Sequence, residues 1–250
     1  MTHRDLAERL VEEFGLRYDP FAVWLSDMKP ENAQEPTGGH RACVVSLLRS
    51  VPLGKVVALR PGAHVCPVAH YYLGFADEPP EGTDEYLAHG GERLKDSPER
   101  ARVHLAESRP FPRDEKYCLV ARLDIIPDEI EPEVVTALVD ADSLTGLLTL
   151  ANYDRDGFDN VIAPFASGCS GLINEPLKEA VSPEPRAVIG LFDVMVRHLV
   201  DPDIMSFAVP YRRLLQMLGN VEGSFMTQPY WREIKERKRV ARETARARRI

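Results

Sequence analysis

Tyr117-Cys-Leu-Val-Ala-Arg-Leu-Asp-Ile-Ile126 is the stretch on which the fold turns. Its apolar run is nearly continuous rather than alternating, which predicts a strand buried on both faces in the middle of a sheet. Glu133-Val-Val-Thr-Ala-Leu-Val139 predicts a second such strand. Asp142 and Ser143 then stand where a helix reaching to about Ala151 needs its N-terminal cap.

Working outward, the same reasoning covers the rest of the chain. Leu6, Leu10, Val11 and Phe14 recur at helical spacing before Gly15, giving a helix over 3–15. Strands are expected at Phe21–Leu25, Lys55–Leu59, Asn160–Pro164, Ala187–Leu191 and Met205–Val209. Short helices are expected over 42–48, from Cys66-Pro67, after Gly168-Cys169 and over 193–200. Pro210 to Gly219 has proline first and glycine last, as a helix prefers. Residues 76–115 are polar and rich in Pro and Gly, with a charged helical segment over 92–107, and read as a lid or insertion. Residues 229–249 read as a long charged helix or a helix that frays. Strands alternate with helices without strict regularity. The fold expected is therefore α/β in the broad sense (α+β), a mixed β-sheet with helices packed on its faces and a long charged C-terminal helix. One globular domain spans 1–230, followed by a basic helix or tail over 231–250.

The bulk numbers agree. The chain has 250 residues, 44% of them hydrophobic, enough for a sizeable core. Net charge is -8, which argues against a general affinity for nucleic acid or an anionic membrane. From Arg232 to Ile250, nine basic residues face three acids, a local excess of +6. That tail has no interleaved aromatics, so a solvated terminus is expected rather than an RNA-binding one. Met1-Thr-His-Arg-Asp-Leu-Ala-Glu8 lacks the apolar run of a signal peptide, and no stretch approaches a membrane span. The expectation is a cytoplasmic protein with no membrane association, whose thiols stay reduced.

The four cysteines then become the chemistry to explain. Cys66 precedes Pro67, and proline is best tolerated at the first helical position, so Cys66 takes the N-cap. Val56–Cys66 and Val161–Cys169 share a pattern of β-branched strand, Pro/Gly/small turn, then cysteine opening a helix. Cys43 also follows a loop that enters an apolar helix. Unpaired backbone N–H groups at a helix start stabilise a thiolate, so all three are expected to have lowered pKa values. Cys118 lies inside a strand and reads as core. Three thiolates could close on a metal or an iron–sulfur cluster and leave one position for a small ligand, with His40, His64 and His70 as additional ligands. The wide spacing and the lack of any Cys-x-x-Cys make this a weak sequence signal, and buried structural cysteines explain the same residues. Cys66-Pro67 also fits the short pattern of a haem-thiolate site.

Six segments carry a resemblance. Ala42-Cys-Val-Val45, Cys66-Pro-Val-Ala-His-Tyr-Tyr-Leu-Gly-Phe75, Asp142-Ser-Leu-Thr-Gly-Leu-Leu148, Ala163-Pro-Phe-Ala-Ser-Gly-Cys-Ser170, Ile189-Gly-Leu-Phe-Asp193 and Phe207-Ala-Val-Pro-Tyr211 follow in that order. Together they resemble the family called domain of unknown function 169, the uncharacterised ArCR-type proteins, over roughly residues 5–235. The resemblance implies a prokaryotic cytoplasmic protein, common in anaerobes and archaea, with no settled activity. Cys43, Cys66 and Cys169 fall where the family's cysteines are expected; Cys118 does not.

Other residues have both a functional and a plain reading. Asp193 could face the site as an acid or a ligand orienter, and is also a good helix cap. Arg212 and Arg213 could meet an anion, though a solvated helix face accounts for them. Ser167, Gly168 and Ser170 suit an oxyanion site or a tight turn. Asn152–Asn160 lacks the closing glutamate of a calcium loop and reads as a polar turn. No Walker loop, dinucleotide fingerprint or Ser-His-Asp motif stands out. The expectation is a metal- or iron–sulfur-binding protein, redox-active in the fullest version, using Cys43, Cys66 and Cys169. It would engage a small-molecule ligand or a redox partner. The alternatives are a cysteine-thiolate enzyme or a small-molecule-binding protein without metal. A homodimer is the commonest assembly for such a chain.

Overall fold

The computed structural model describes residues 1–37, 43–47, 51 and 54–247, the last seven as backbone only. Eight strands form one mixed sheet: β1 Phe21–Ser26, β2 Ala33–Gln34, β3 Val56–Leu59, β4 Tyr117–Arg122, β5 Val134–Val139, β6 Val161–Ile162, β7 Ala187–Gly190 and β8 Met205–Pro210. Their order is β2-β3-β4-β1-β5-β8-β7-β6. The near-continuous apolar runs at 117–122 and 134–139 are the strands on either side of β1, as their composition requires.

The sheet is two copies of one pattern. Read outward from the β1–β5 seam, the order is β1, β4, β3, β2 on one side and β5, β8, β7, β6 on the other. Corresponding strands have equal lengths. Registers correspond as well: Phe21 faces Arg122 as Val134 faces Pro210, and Val57 faces Val120 as Val188 faces Ala208. Both outermost pairs are parallel, Ala33 with Val56 and Val161 with Ala187, and all the others are antiparallel. The antiparallel β1–β5 seam therefore relates two equivalent half-sheets. This corrects the sequence pairing of Val56–Cys66 with Val161–Cys169. In the sheet, the crossover carrying Cys169 corresponds to the one carrying Cys43, and the segment leaving β3 toward Cys66 corresponds to the segment leaving β7 toward Asp193.

Alternation along the strands sorts the core into two layers. Ala22, Trp24, Leu119, Ala121, Val135, Ala137, Phe207 and Val209 face one side, with Leu6, Leu10, Phe14, Leu147, Leu150, Leu214 and Trp231. That side carries four helices: α1 His3–Phe14, α6 Ala141–Ala151, α8 Tyr211–Gly219 and α9 Pro229–Ala247. The cap of α6 is Asp140 rather than Asp142 or Ser143; its side chain accepts from the Ser143 N–H. The first turn of α9 is anchored by Trp231, packed edge-on to Phe14 and Phe225. Arg213 is buried rather than on a solvated face, and its guanidinium grips Asp154 at 2.5 and 2.9 Å.

The opposite side holds Val23, Val57, Leu59, Cys118, Val120, Val134, Val188 and Ala208 under the two crossovers. Here lie α2 Val44–Leu47, α3 Pro67–Tyr72 and α7 Glu175–Ala180, the last preceded by a π-wound turn, Ser170–Asn174. The region 76–115 carries α4 Thr83–Ala88 and α5 Pro98–Glu107. They build a small apolar cluster with Tyr71, Tyr72 and Cys169. Buried Asn174 ties this region down, accepting from the Phe111 N–H at 2.7 Å and donating to the Ser108 and Arg109 carbonyls. Residues 193–200 are a turn and one 3₁₀ turn at Arg197–Leu199 rather than a helix.

Candidate functional site

The crossover face of the sheet holds one cavity of about 680 Å³, and Cys43, Cys66 and Cys169 all line it. Each arrives on a different element. Cys43 immediately precedes α2, where the crossover from β2 turns back toward β3. Cys66 is the N-cap of α3, with Pro67 in the first helical position as its sequence requires. Cys169 lies at the head of the helical stretch that becomes the π-wound turn and then α7. Single π turns of this kind recur at functional sites because they re-aim side chains. Gly168 lets this segment dock, since a Cβ there would meet Val45 and Val196 at 2.8 Å. Cys118 is fully buried in β4 and does not line the cavity.

The lowered thiol pKa expected from helix starts is reversed at two of the three. Cys43 receives the expected help from the Val45 and Ser46 backbone, yet burial outweighs it, and the charges of Cys66 and Asp193 push the same way as burial. Burial pushes the Cys169 thiol further up, followed by Cys43, Cys66 and Asp193; the Ser170 backbone opposes this weakly. The physical reason is that desolvation of a thiolate costs more than one or two N–H groups return. The charges of Cys66 and Asp193 thus act on both Cys43 and Cys169.

The remaining wall is acidic and aromatic. Glu92 reaches in from the 76–115 region; burial, then the charge of Asp193, holds its carboxyl above the usual range. Asp193 is 5% exposed. Its Oδ2 accepts from the Gly168 N–H at 3.0 Å and its Oδ1 from the Met195 N–H at 2.9 Å. It is neither a helix cap nor solvated; it bonds the head of the Cys169 segment. The Tyr72 hydroxyl is buried without a partner of hydrogen-bonding geometry, although the Ser167 side chain lies close enough to act on it. Met195 and His198 stand at the rim. No lysine or arginine lines the cavity among the described residues.

Of the histidines named from sequence, His64 and His70 do not line the cysteine cavity. His70 turns away, its Nε2 3.1 Å from the Ala63 carbonyl and its ring against Phe75. His64 is not among the lining residues. His40 lies outside the described residues. Sequence reasoning missed Tyr72, Glu92 and His198. Tyr72 carried no motif of its own in the Cys66 helix, and Glu92 stood as one charge among several in the charged segment over 92–107. Among the described residues, no three His, Cys, Asp or Glu side chains are drawn tightly enough to grip a single metal ion. A larger groove, about 830 Å³, runs between α1 and α9. Some of its charges pair with one another, Arg122 with Asp124 and Arg239 with Glu236, and no thiol lines it.

No helix among the described residues is long and apolar enough to cross a membrane. No curated protein and no solved structure matches the chain. The family described as uncharacterised ArCR, domain of unknown function 169, matches residues 9–220, which takes in all eight strands and all three cavity cysteines. The chain belongs to the domain of unknown function 169 family.

Proposed function

We propose that this chain binds a metal centre, an iron–sulfur cluster, through Cys43, Cys66 and Cys169, with a fourth position facing the cavity. The observation that carries this reading is the meeting of three cysteines, distant in sequence, on one cavity lined by no lysine or arginine among the described residues. Soft sulfur donors with carboxylates nearby suit a thiophilic cation and repel free anions. Thiols held protonated by burial give up their protons when a metal takes their place, so loading is coupled to proton release. The same raised thiols count against a free-thiolate nucleophile.

A cluster is the form of centre that this reading favours. Bonds of about 2.3 Å to one ion would draw three sulfurs to within roughly 4 Å of one another, and no such tight group exists among the described residues. A cluster spreads its cysteines wider, about 7 Å apart when bonds of about 2.3 Å are bridged through several metals. A cavity of about 680 Å³ also leaves room for a small ligand beside a cluster. Anaerobic purification followed by iron, sulfide and zinc analysis tests the reading. It expects iron and sulfide in near-stoichiometric amounts, lost in Cys43→Ser, Cys66→Ser or Cys169→Ser and retained in Cys118→Ser. A colourless protein with only traces of metal, before and after anaerobic reconstitution, overturns it.

A further inference from the structure

The two half-sheets make a prediction about the fourth position. The Cys43 crossover and the Cys169 crossover occupy equivalent places, so those two residues form one related pair. Cys66 stands on the segment leaving β3, and its counterpart segment leaves β7 and presents Asp193. We infer that Asp193 is the fourth ligand of the centre, supplied by the segment that corresponds to the one carrying Cys66. This rests on the metal-centre reading above and adds a residue to it.

Several observations converge on Asp193. It is buried and it lines the cavity beside Cys43, Cys66 and Cys169. The backbone is forced to aim it: Leu191, two residues before, is a buried leucine at φ 68°. Bulky residues enter that left-handed region only where the surroundings hold them there. Each carboxylate oxygen accepts one backbone N–H, which fixes its orientation and leaves lone pairs free, the usual support of a ligating carboxylate. His198 and Met195 are exposed at the rim and make weaker candidates. An oxygen ligand is less well matched to iron in a sulfur-rich site than a thiolate. The Asp193 position is therefore the exchangeable one, open to a small ligand from the Glu92 side.

The test is iron release from the anaerobically reconstituted full-length protein to a chromophoric chelator, using wild type, Asp193→Ala, Asp193→Asn and Asp193→Cys. Asp193→Ala and Asp193→Asn should each release iron at least tenfold faster. Asp193→Cys should restore retention to the wild-type rate or slower and change the spectrum of the reduced centre. A residue that merely positions Gly168 predicts otherwise, because a thiol is a poor acceptor for that N–H and would not rescue. If Asp193→Ala does not fold, Asp193→Asn, which keeps one acceptor oxygen, takes its place. Wild-type release rates in both Asp193→Ala and Asp193→Asn, or an Asp193→Cys variant as leaky as Asp193→Asn, overturn the inference and leave the three-cysteine reading standing. A wild type that takes up no iron and sulfide overturns both.

Discussion

The two half-sheets share strand lengths, order and register, yet they are finished differently. The first connects β3 to β4 through residues 60–116, a long excursion that supplies Cys66, Tyr72, Glu92 and the α4–α5 cluster. The second connects β7 to β8 through residues 191–204 alone, and supplies Asp193. The first half thus furnishes two of the thiols with Tyr72 and Glu92, while the second furnishes one thiol and the Asp193 carboxylate. The difference teaches that the repeated frame sets where groups arrive and that the connections set what they are. Position by position the frame is also unequal: Leu59, Val23 and Cys118 in one half correspond to Gly190, Thr136 and Ser206 in the other.

Those inequalities are where the comparison can be broken. The largest effect is expected at the ion pairs near the ends of β4 and β8. Arg213 is buried and held by Asp154, whose carboxyl that guanidinium lowers to about 2, whereas Arg122, paired with Asp124, is more exposed than Arg213. Asp154→Ala should cost about 3–5 kcal/mol by stranding a buried guanidinium, while Asp124→Ala costs under about 1 kcal/mol; chemical denaturation of both separates them. Because the Asp154 value is depressed, its stabilisation is present above the ordinary 3.8 and disappears as pH falls toward 2. Equal losses in the two variants would show that burial does not distinguish the halves.

Next is Gly190. A Cβ there would stand 2.9 Å from the Gly171 carbonyl oxygen and 2.8 Å from Ser206 Oγ, because the π-wound turn lies directly on β7. Making the second half match the first with Gly190→Leu should cost about 3 kcal/mol from overpacking, read as a fall in melting temperature. An unchanged melt would mean that the π-wound turn can lift off the strand.

Glu133 opens β5 where Pro20 opens β1. Its carboxyl is raised to about 7 by burial, with Glu115 and Glu131 adding to the shift, against bonds from its own and the Leu25 backbone. A raised carboxyl costs nothing below its ordinary 4.5, costs progressively more as pH rises, and costs in full above about 7. Glu133→Gln should therefore stabilise the fold by about 2 kcal/mol at pH 8 and leave it unchanged near pH 4. A gain that does not depend on pH would contradict this.

The smallest effect is at Thr136, whose buried hydroxyl finds no partner where the first half has Val23. Thr136→Val removes an unsatisfied group of the same shape and should stabilise by about 1 kcal/mol. Loss of stability instead would mean that the hydroxyl has a partner in solution.

Much of the frame was legible in the sequence. The central strands at 117–122 and 134–139, the Cys66-Pro67 helix start and the 76–115 region follow from apolar runs, proline position and composition. The twofold pattern was legible only as a hint, and with the wrong pairing. Strand lengths of two and four residues carry too little sequence to align, and their equivalence is a matter of hydrogen-bond register. The three cavity cysteines were found because each opens a helix, but the expected pKa direction failed at Cys43 and Cys169. Helix-start N–H groups are visible in a sequence; the desolvation that outweighs them is not. Asp193 read as a cap because its actual donors, Gly168 and Met195, are defined by a turn at Leu191 that no propensity favours.

The central claim is that Cys43, Cys66 and Cys169 act as one site and Cys118 does not. Quantitative alkylation with mass-spectrometric readout tests it most directly, on anaerobically reconstituted protein before and after chelation. The account predicts that the three cysteines are protected together in the loaded protein and become reactive together on chelation, with Cys118 unreactive throughout the folded state. Protection that differs among the three, or that chelation does not change, would contradict it.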